Sequence, residues 1–282
     1  MSEQKTLELW EQLPMYAVSD ELAPRIAEYG LEQNLVELRE NGYTIITVDR
    51  DLTDRIRAAI LRETEGASAP NASFDLTCAA PLGSDPAFSE ACTHPAVLAL
   101  AEYICGRGCV LSSVLGTVRT PGSSVGVHCD QSQVPSPFPE HLALLTACWV
   151  TDEFTEENGA TTILPGTQKL RRVPTPAEST SAGNEAIAIE APPGSVVLWD
   201  GAVWHGNRPR TAPGERVVLH VTYCRLAYRP VHDFSYVGDD FLTEASPEMR
   251  GLLGVNLGFG TNTRHRHIED DRYIRMSLDV RR

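Results

Sequence analysis

Long apolar runs are absent from this sequence of 282 residues. Nowhere do the roughly eighteen consecutive apolar residues of a membrane-spanning helix occur, and residues 1–14 contain no apolar stretch of signal-peptide length. The chain end, Asp279 to Arg282, also differs from a peroxisomal address of the Ser-Lys-Leu type. We therefore expect a cytoplasmic protein that neither spans a membrane nor is secreted.

Paired cysteines and an excess of positive charge are absent as well. The seven cysteines form an odd set without a C-x-x-C spacing, so neither a disulfide framework nor a zinc knuckle is expected. The 24 basic residues are outnumbered by 38 acidic ones, and the net charge of -14 would repel phosphate backbones. Nucleic acid is therefore not an expected partner. Ordinary contents of hydrophobic (42%) and charged (22%) residues indicate a folded globular chain.

The N-terminal part combines helical patterns with one strand. Apolar residues recur at helical spacing from Ser19 to Glu40, from Asp51 to Glu65 and from His94 to Ile104. Between the first two helices, residues 43–48 (YTIITV) read as a strand, and residues 71–84 read as a loop. This part is expected to support a core that follows it.

After Gly106 the pattern changes to short β-rich runs separated by Pro and Gly turns. The runs are VLSSVLGTVRT, VGVHCD, LALLTACWV, ATTILP, EAIAIEA, SVVLWD and ERVVLHVTYCRL. Several short strands with turn signals predict an all-β barrel or sandwich. We expect one domain over residues 1–282. Residues 1–104 would form helices and a strand that support the core, residues 105–228 would form the β core, and residues 229–282 would pack on that core.

A histidine and an aspartate stand two residues apart in V-G-V-H-C-D. In an extended strand His128 and Asp130 point to the same face, and Cys129 points to the other. The pair could be two ligands of a metal site or an exposed polar pair at a strand end. A third candidate ligand, His205, follows 77 residues after His128, and Arg216 lies eleven residues beyond it.

In these motifs the chain resembles the phytanoyl-CoA dioxygenase family of non-haem iron, 2-oxoglutarate-dependent oxygenases. The resemblance covers residues 105–228 and is carried by three stretches. They are H-C-D at 128–130, E-N-G-A-T-T-I-L-P-G-T-Q-K at 157–169, and H-G-N…G-E-R from His205 to Arg216. The resemblance implies a double-stranded β-helix, the cupin-like jelly roll, which is mainly β with flanking helices.

The resemblance also implies the site. His128, Asp130 and His205 would be the ligands of Fe(II), a set that leaves open positions for 2-oxoglutarate and O2. Arg216 would bind the distal carboxylate of 2-oxoglutarate, because a guanidinium grips a carboxylate at two points. Two further residues, Trp149 and Asn207, fall where the family lines the cosubstrate pocket.

The implied reaction is oxidation, most simply hydroxylation, of a C–H bond in a small-molecule metabolite, with release of succinate and CO2. The resemblance associates the carboxylate of Asp130 with hydroxylation, desaturation, epoxidation or another ring-forming oxidation rather than with halogenation, and the sequence does not choose among these. Two other hypotheses stay open: a cupin-like metal-dependent enzyme that does not use 2-oxoglutarate, and a non-catalytic binding protein on the same barrel. The sequence carries no signal for the oligomeric state.

Three lesser features complete the expectations. The proline-containing stretch from Gln131 to His141 directly follows the ligand pair and is expected to cover the substrate, because binding determinants gather on loops. His220 shares strand parity with Arg216 and is expected to be a satisfied core histidine. The run from Arg264 to His267 reads as a solvated basic stretch.

Overall fold

The computed structural model describes residues 17–67, 76–181 and 185–255 of the chain. The strands in this part are β1 (Tyr43–Thr47), β2 (Leu76–Cys78), β3 (Val110–Arg119), β4 (Val125–His128), β5 (Leu144–Val150), β6 (Thr161–Leu164), β7 (Ile187–Ala188), β8 (Ser195–Asp200), β9 (Trp204–Asn207) and β10 (Arg216–Cys224). The helices are α1 (Ala23–Glu28), α2 (Glu32–Asn41), α3 (Arg50–Glu63), α4 (Pro86–Thr93), α5 (Pro95–Cys105), α6 (Pro176–Ser181), α7 (Asp239–Glu244) and α8 (Pro247–Leu252), with a 3-10 helix at Thr167–Leu170.

The strands form two antiparallel sheets that face each other. The larger sheet has the order β1-β8-β5-β10-β3-β2, and the smaller has the order β4-β9-β6-β7. Apolar side chains from both sheets, such as Val150 and Val218 from the larger and Ile163 from the smaller, meet in one buried cluster between them. This arrangement confirms the predicted double-stranded β-helix, which is mainly β with flanking helices.

Helices cover the outer face of the larger sheet. Helix α3 begins after Asp49, whose side chain accepts a hydrogen bond from the Asp51 backbone N–H at 2.9 Å. Its apolar side contains Ile56 and Ile60, which are fully buried. On β3 beneath it, a Cβ at Gly116 would lie 2.8 Å from the Ile60 side chain, so glycine allows the helix to approach this closely. This helical layer covers one face of the larger sheet, and the opposite face of the sheet lines the barrel interior.

The N-terminal part differs from the sequence expectation in two respects. The helix expected from Ser19 to Glu40 is two helices, because Gly30 adopts a positive φ of 63° that ends the first of them. Both β1 and β2 join the larger sheet, although β2 lies in the stretch predicted as loop. The barrel thus begins before residue 105, and the extent of the single domain stays a prediction because residues 1–16 and 256–282, which include Arg264 to His267, lie outside the described part.

Two further observations concern the sequence features that were absent. None of the helices in the described ranges has the length and apolar character needed to traverse a lipid bilayer. All seven cysteines lie in the described part, where each is a buried free thiol. Burial raises the pKa of most of these thiols, to about 12 for Cys148, which suits packing rather than reactivity.

Candidate metal centre

The two histidines of the predicted triad are direct partners in the smaller sheet. His128 ends β4 and His205 lies in β9, and the antiparallel register places them opposite each other. Their ring centroids are 4.3 Å apart. Trp204 and Val127, which point the other way along the same strands, pack in a separate apolar cluster on the outer face of this sheet. Strand alternation therefore directs both imidazoles into the barrel.

Asp130 follows in the turn after β4 and completes a set of three facing ligand atoms. Its Oδ1 lies 3.8 Å from Nε2 of His128 and 3.4 Å from Nε2 of His205. All three ligand atoms lie within 4.8 Å of one another. Metal–ligand distances near 2 Å put two ligands of one ion at most about 4 Å apart, so small rotations of the exposed His128 ring would let the set close on an ion.

Backbone carbonyls fix which ring nitrogen of each histidine faces the centre. Nδ1 of His128 lies 2.9 Å from the carbonyl oxygen of Gly126, and Nδ1 of His205 lies 3.1 Å from that of Val203. A carbonyl can only accept, so each Nδ1 carries the proton and each Nε2 keeps its lone pair for a metal. Two neutral imidazoles and one carboxylate are the donor set that suits iron(II) with open coordination positions.

The far oxygen of Asp130 is held by two donors that sequence reasoning missed. Oδ2 accepts hydrogen bonds from Thr146 Oγ1 at 2.6 Å and from Trp199 Nε1 at 2.9 Å. Because the Thr146 hydroxyl hydrogen is used on Asp130, Thr222 donates to Thr146 across a 3.0 Å separation. These contacts orient the carboxylate so that Oδ1 is the atom that faces the imidazoles. The available signal was Thr146 itself, a single polar residue inside the apolar run LLTACWV.

The charges of the triad stabilise one another. Burial would raise the pKa of Asp130, but the charge of His205, its hydrogen bond and the charge of His128 outweigh burial and hold that pKa well below its usual range. For His205, burial lowers the pKa, and the adjacent Asp130 carboxylate more than compensates, so the net shift is upward. A proton on His205 therefore competes with a metal, and acid should weaken metal binding.

The two histidines of the triad differ in exposure. The His128 side chain is 44% exposed, whereas the His205 side chain is 6% exposed. Access to the triad is therefore from the His128 side of the barrel.

Arg216, the predicted cosubstrate anchor, is a fully buried arginine on the inward face of β10. Along this strand Arg216, His220 and Thr222 share one face by alternation, and Thr222 is already linked to the Asp130 carboxylate. The guanidinium lies over the Phe154 ring, 4.8 Å from its centroid. Its Nη1 donates to the carbonyl of Gly159. Arg216 is thus in the barrel, on the strand that also approaches the triad.

Asn207 lies close to Arg216 in the same region. It shares the inward face of β9 with His205, two residues earlier. Its amide donates to the carbonyl of Gly159 at 3.2 Å, the same oxygen that accepts from Arg216. Asn207 therefore stays a candidate for the cosubstrate pocket.

Trp149 is not brought to the site, in contrast to the sequence expectation. Thr146 faces Asp130, so the odd-numbered positions of β5 face the helical layer instead. The Trp149 ring is buried in that layer and contacts His94 edge-on, with 5.6 Å between ring centroids. Trp149 therefore packs on the helical side of the larger sheet and does not line a cosubstrate pocket beside the triad.

The stretch from Gln131 to His141 also lies elsewhere than expected. Val134 and Phe138 are buried in the cluster on the outer face of the smaller sheet, and the Phe138 N–H donates to the Arg171 carbonyl at 2.7 Å. Val134 and Phe138 thus pack on the face of the smaller sheet opposite the triad, and the expected position of this stretch over the triad is not seen.

His220 lies inside the barrel, on the inward face of β10, and is partly exposed there. Burial together with the charges of Arg119, Arg216 and His205 lowers the pKa of His220 to about 3, although Asp130 opposes the shift. The imidazole is therefore neutral at physiological pH. The sequence predicted a satisfied core histidine, whereas His220 is partly exposed inside the barrel, with its ring centroid 6.0 Å from that of Trp199.

The hydrogen bond from Trp199 gives a first prediction. Trp199→Phe keeps an aromatic ring but removes the N–H that orients Asp130, and we expect iron(II) affinity to fall by about 10- to 100-fold. Trp204→Phe is the matched control, because the Trp204 indole donates to the Arg172 carbonyl on the outer face of the sheet. Competition with a metal-binding dye under anaerobic conditions measures both affinities. Equal affinities in the two variants would contradict the orienting role.

A double-stranded β-helix with two imidazoles and one carboxylate facing one another inside it defines the class of mononuclear non-haem metal proteins. Within that class, the amino-acid sequence matches one family. The family model "Phytanoyl-CoA dioxygenase (PhyH)" matches residues 38–218, well over half of the chain. The chain therefore belongs to the phytanoyl-CoA dioxygenase family, as its motifs predicted.

Curated relatives carry related names. Dioxygenase af480 from Aspergillus fumigatus is 29% identical over 179 residues, which cover 61% of this chain and 56% of that protein. Dioxygenase trt7 from Aspergillus terreus is 24% identical over 175 residues, which cover 59% of each protein. The chain thus matches less than two thirds of the length of these relatives.

Solved structures share the fold at low sequence identity. The epimerase SnoN from nogalamycin biosynthesis, described as non-haem and alpha-ketoglutarate dependent, matches with a TM-score of 0.59 at 20% identity, covering 77% of this chain and 95% of SnoN. HygX from Streptomyces hygroscopicus, solved with nickel and 2-oxoglutarate bound, matches with a TM-score of 0.59 at 15% identity, covering 71% of this chain and 88% of HygX. Both likenesses extend over more than two thirds of this chain.

Proposed function

We propose that this protein is an Fe(II)- and 2-oxoglutarate-dependent dioxygenase that hydroxylates a C–H bond of a small-molecule metabolite, with release of succinate and CO2. The observation that carries the proposal is the set of facing ligand atoms of His128, Asp130 and His205 inside a barrel. Family membership and the 2-oxoglutarate-bound structure of HygX support it.

Each residue of the triad has a defined part in this function. The two Nε2 atoms and Asp130 Oδ1 would hold Fe(II) on one face, leaving three of the six positions of an octahedron. The bound iron supplies the means to activate O2 with electrons from 2-oxoglutarate. Thr146 and Trp199 keep the Asp130 carboxylate in its ligating orientation. The half-exposed His128 marks the side from which a substrate would approach.

Arg216 distinguishes this function from its rivals. A buried guanidinium that faces the barrel interior fits the distal carboxylate of 2-oxoglutarate, which it can bind at two points. A cupin-like metal enzyme without 2-oxoglutarate has no need of such a group at this position. A non-catalytic binding protein has no need of a complete triad. The substrate is proposed only as a class, a small organic metabolite.

Succinate formation tests the proposal. Purified protein is incubated in air with Fe(II) and 2-oxoglutarate, with and without a panel of small metabolites, and succinate is quantified by mass spectrometry. We expect succinate to exceed that formed by the Asp130→Ala variant and to increase when a substrate is present. Folded, iron-loaded protein that forms no succinate above this background with any compound would favour the rival functions.

A further inference from the structure

Three partly exposed side chains lie together on the inward face of strands β3 and β10. On β10 His220 is the one residue that is not buried, and on β3 only Ser113 and Leu115 are partly exposed. His220 is paired with Leu115 across the two strands, and Thr222 is paired with Ser113. Cross-strand partners point to the same side of a sheet, so the three partly exposed residues share the inward face. We call Ser113, Leu115 and His220 the interior patch.

The exposure of His220 belongs to its side chain. Strand β10 is hydrogen-bonded to β3 on one side and to β5 on the other, so its backbone is covered. The outward-pointing neighbours of His220 along the strand, Leu219 and Val221, are fully buried beneath the helices. The interior patch, and the imidazole with it, therefore borders space inside the barrel that a small molecule can occupy.

His220 lies between the metal centre and Arg216. In the inward row of β10, Thr222 is linked to the Asp130 carboxylate, and Arg216 stands at the other end. The His220 ring centroid is 6.0 Å from that of Trp199, whose indole N–H donates to Asp130. Besides burial, which lowers the pKa of His220, the charge of Asp130 raises this pKa and that of Arg216 lowers it. His220 is two positions from Thr222 and four from Arg216, so it is on the metal side of the row.

The ring nitrogens of His220 are available for a ligand. None of the hydrogen bonds within residues 17–67, 76–181 and 185–255 involves them, whereas Nδ1 of His128 and Nδ1 of His205 each contact a backbone carbonyl. A neutral imidazole offers one N–H donor and one acceptor nitrogen. His220 can therefore donate to a group in the interior space.

The opposite wall of the barrel indicates where 2-oxoglutarate would lie. The Gly159 carbonyl accepts from both Asn207 and Arg216, so the guanidinium ends beside Asn207. Asn207 is two residues beyond His205 on β9, which is roughly 7 Å along a strand. A molecule of the length of 2-oxoglutarate, held by the metal at one end and by Arg216 at the other, would therefore lie between β9 and the inward row of β10.

We propose that His220 binds 2-oxoglutarate by donating its ring N–H to the carboxylate that chelates the iron. This inference rests on the proposed function. Arg216 takes the distal carboxylate, and His220 is on the metal side of the same row, so the two residues hold opposite ends of one molecule. A hydrogen bond to an ionised acceptor is stronger than one between neutral groups, so the contact contributes measurably to affinity.

Titration of 2-oxoglutarate into the anaerobic iron(II) protein tests the contact. His220→Phe keeps an aromatic ring beside Trp199 but has no N–H, and we expect 2-oxoglutarate affinity to fall by about 10- to 100-fold. The maximum of the visible charge-transfer band should also move, because the electron density of the chelating carboxylate changes, whereas a purely structural role would leave it in place. His220→Gln restores an N–H and should recover part of the affinity.

Two further variants complete the experiment. His141→Phe is the matched control, because this exposed imidazole contacts the Tyr228 hydroxyl at 2.9 Å, and its 2-oxoglutarate affinity and band maximum should equal those of the parent. If His220→Phe does not fold, His220→Leu carries the same test, since it also lacks an N–H.

Three results would overturn the inference. A parent protein without the band would overturn the proposed function and this inference together. A normal parent band, with the same affinity and maximum in His220→Phe or its substitute, would overturn the inference alone and leave the proposed function standing. Equal losses of affinity in His220→Phe and His141→Phe would show that the loss is not specific to the interior patch.

Discussion

Asp130→Ala is expected to reduce iron(II) affinity by more than about 100-fold and to abolish succinate formation, because loss of a ligand should cost more than loss of a ligand's hydrogen-bond partner. The substitution leaves the Thr146 and Trp199 donors without their acceptor, which should cost about 1–3 kcal/mol of the free energy of unfolding, but it removes no large apolar group, so the fold should persist. Anaerobic metal titration and succinate quantification measure the two effects, and circular dichroism checks the fold.

Asp240→Asn is the control for this experiment, since Asp240 is exposed in the first turn of α7. It should behave as the parent protein in every assay. If Asp130→Ala instead kept activity within about twofold of the parent, Asp130 would not be a ligand and the assignment of the triad would fail.

Arg216→Ala should weaken 2-oxoglutarate binding by at least about 100-fold, because removing one partner of a buried charge pair costs on the order of 3–5 kcal/mol. Arg216→Lys keeps the charge but loses the planar two-point fork, so its affinity should fall between those of the parent and the alanine variant. Iron(II) affinity should stay near the parent value in both. Calorimetric titration of 2-oxoglutarate into the anaerobic iron(II) protein measures these affinities.

Arg57→Lys serves as the matched control, because Arg57 pairs with Asp152 at 2.9 Å on helix α3, outside the barrel interior. Its 2-oxoglutarate affinity should equal that of the parent. Unchanged 2-oxoglutarate affinity in both Arg216 variants, with iron still bound, would move the carboxylate anchor elsewhere and favour an enzyme that does not use 2-oxoglutarate.

The barrel strands and the triad could be predicted from sequence because their signals are local or carried by specific motifs. Each β-rich run after Gly106 became a strand, since turn residues separate the runs clearly, but β9, which carries His205, was not among the predicted runs. The pairing of His128 with His205 depends on register between strands far apart in sequence, and only the family motifs linked them. The distances among the ligand atoms of His128, Asp130 and His205 are known only from the structure.

Side-chain direction in β5 could not be predicted in the same way. All seven residues of this strand are buried, because helices cover one face and the barrel interior covers the other. An apolar run of this kind shows no alternation, so nothing in LLTACWV separates the inward face of Thr146 from the outward face of Trp149. Because the run shows no alternation, the sequence prediction put Trp149 on the wrong face of β5.

The position of residues 131–141 could not be predicted from the sequence either. The stretch after Asp130 folds onto the outer face of the smaller sheet through Val134 and Phe138. Proline content predicted a stiff connection there but not the surface to which it packs.

The most direct test of the central claim is the absorption spectrum of the anaerobic protein during addition of Fe(II) and 2-oxoglutarate. A keto acid that chelates iron(II) gives a visible charge-transfer band, and we expect this band to develop to one equivalent only when both components are present. It should be absent in Asp130→Ala. A parent protein that shows no band with both components, or a band that persists in Asp130→Ala, would contradict an iron and 2-oxoglutarate site at His128, Asp130 and His205.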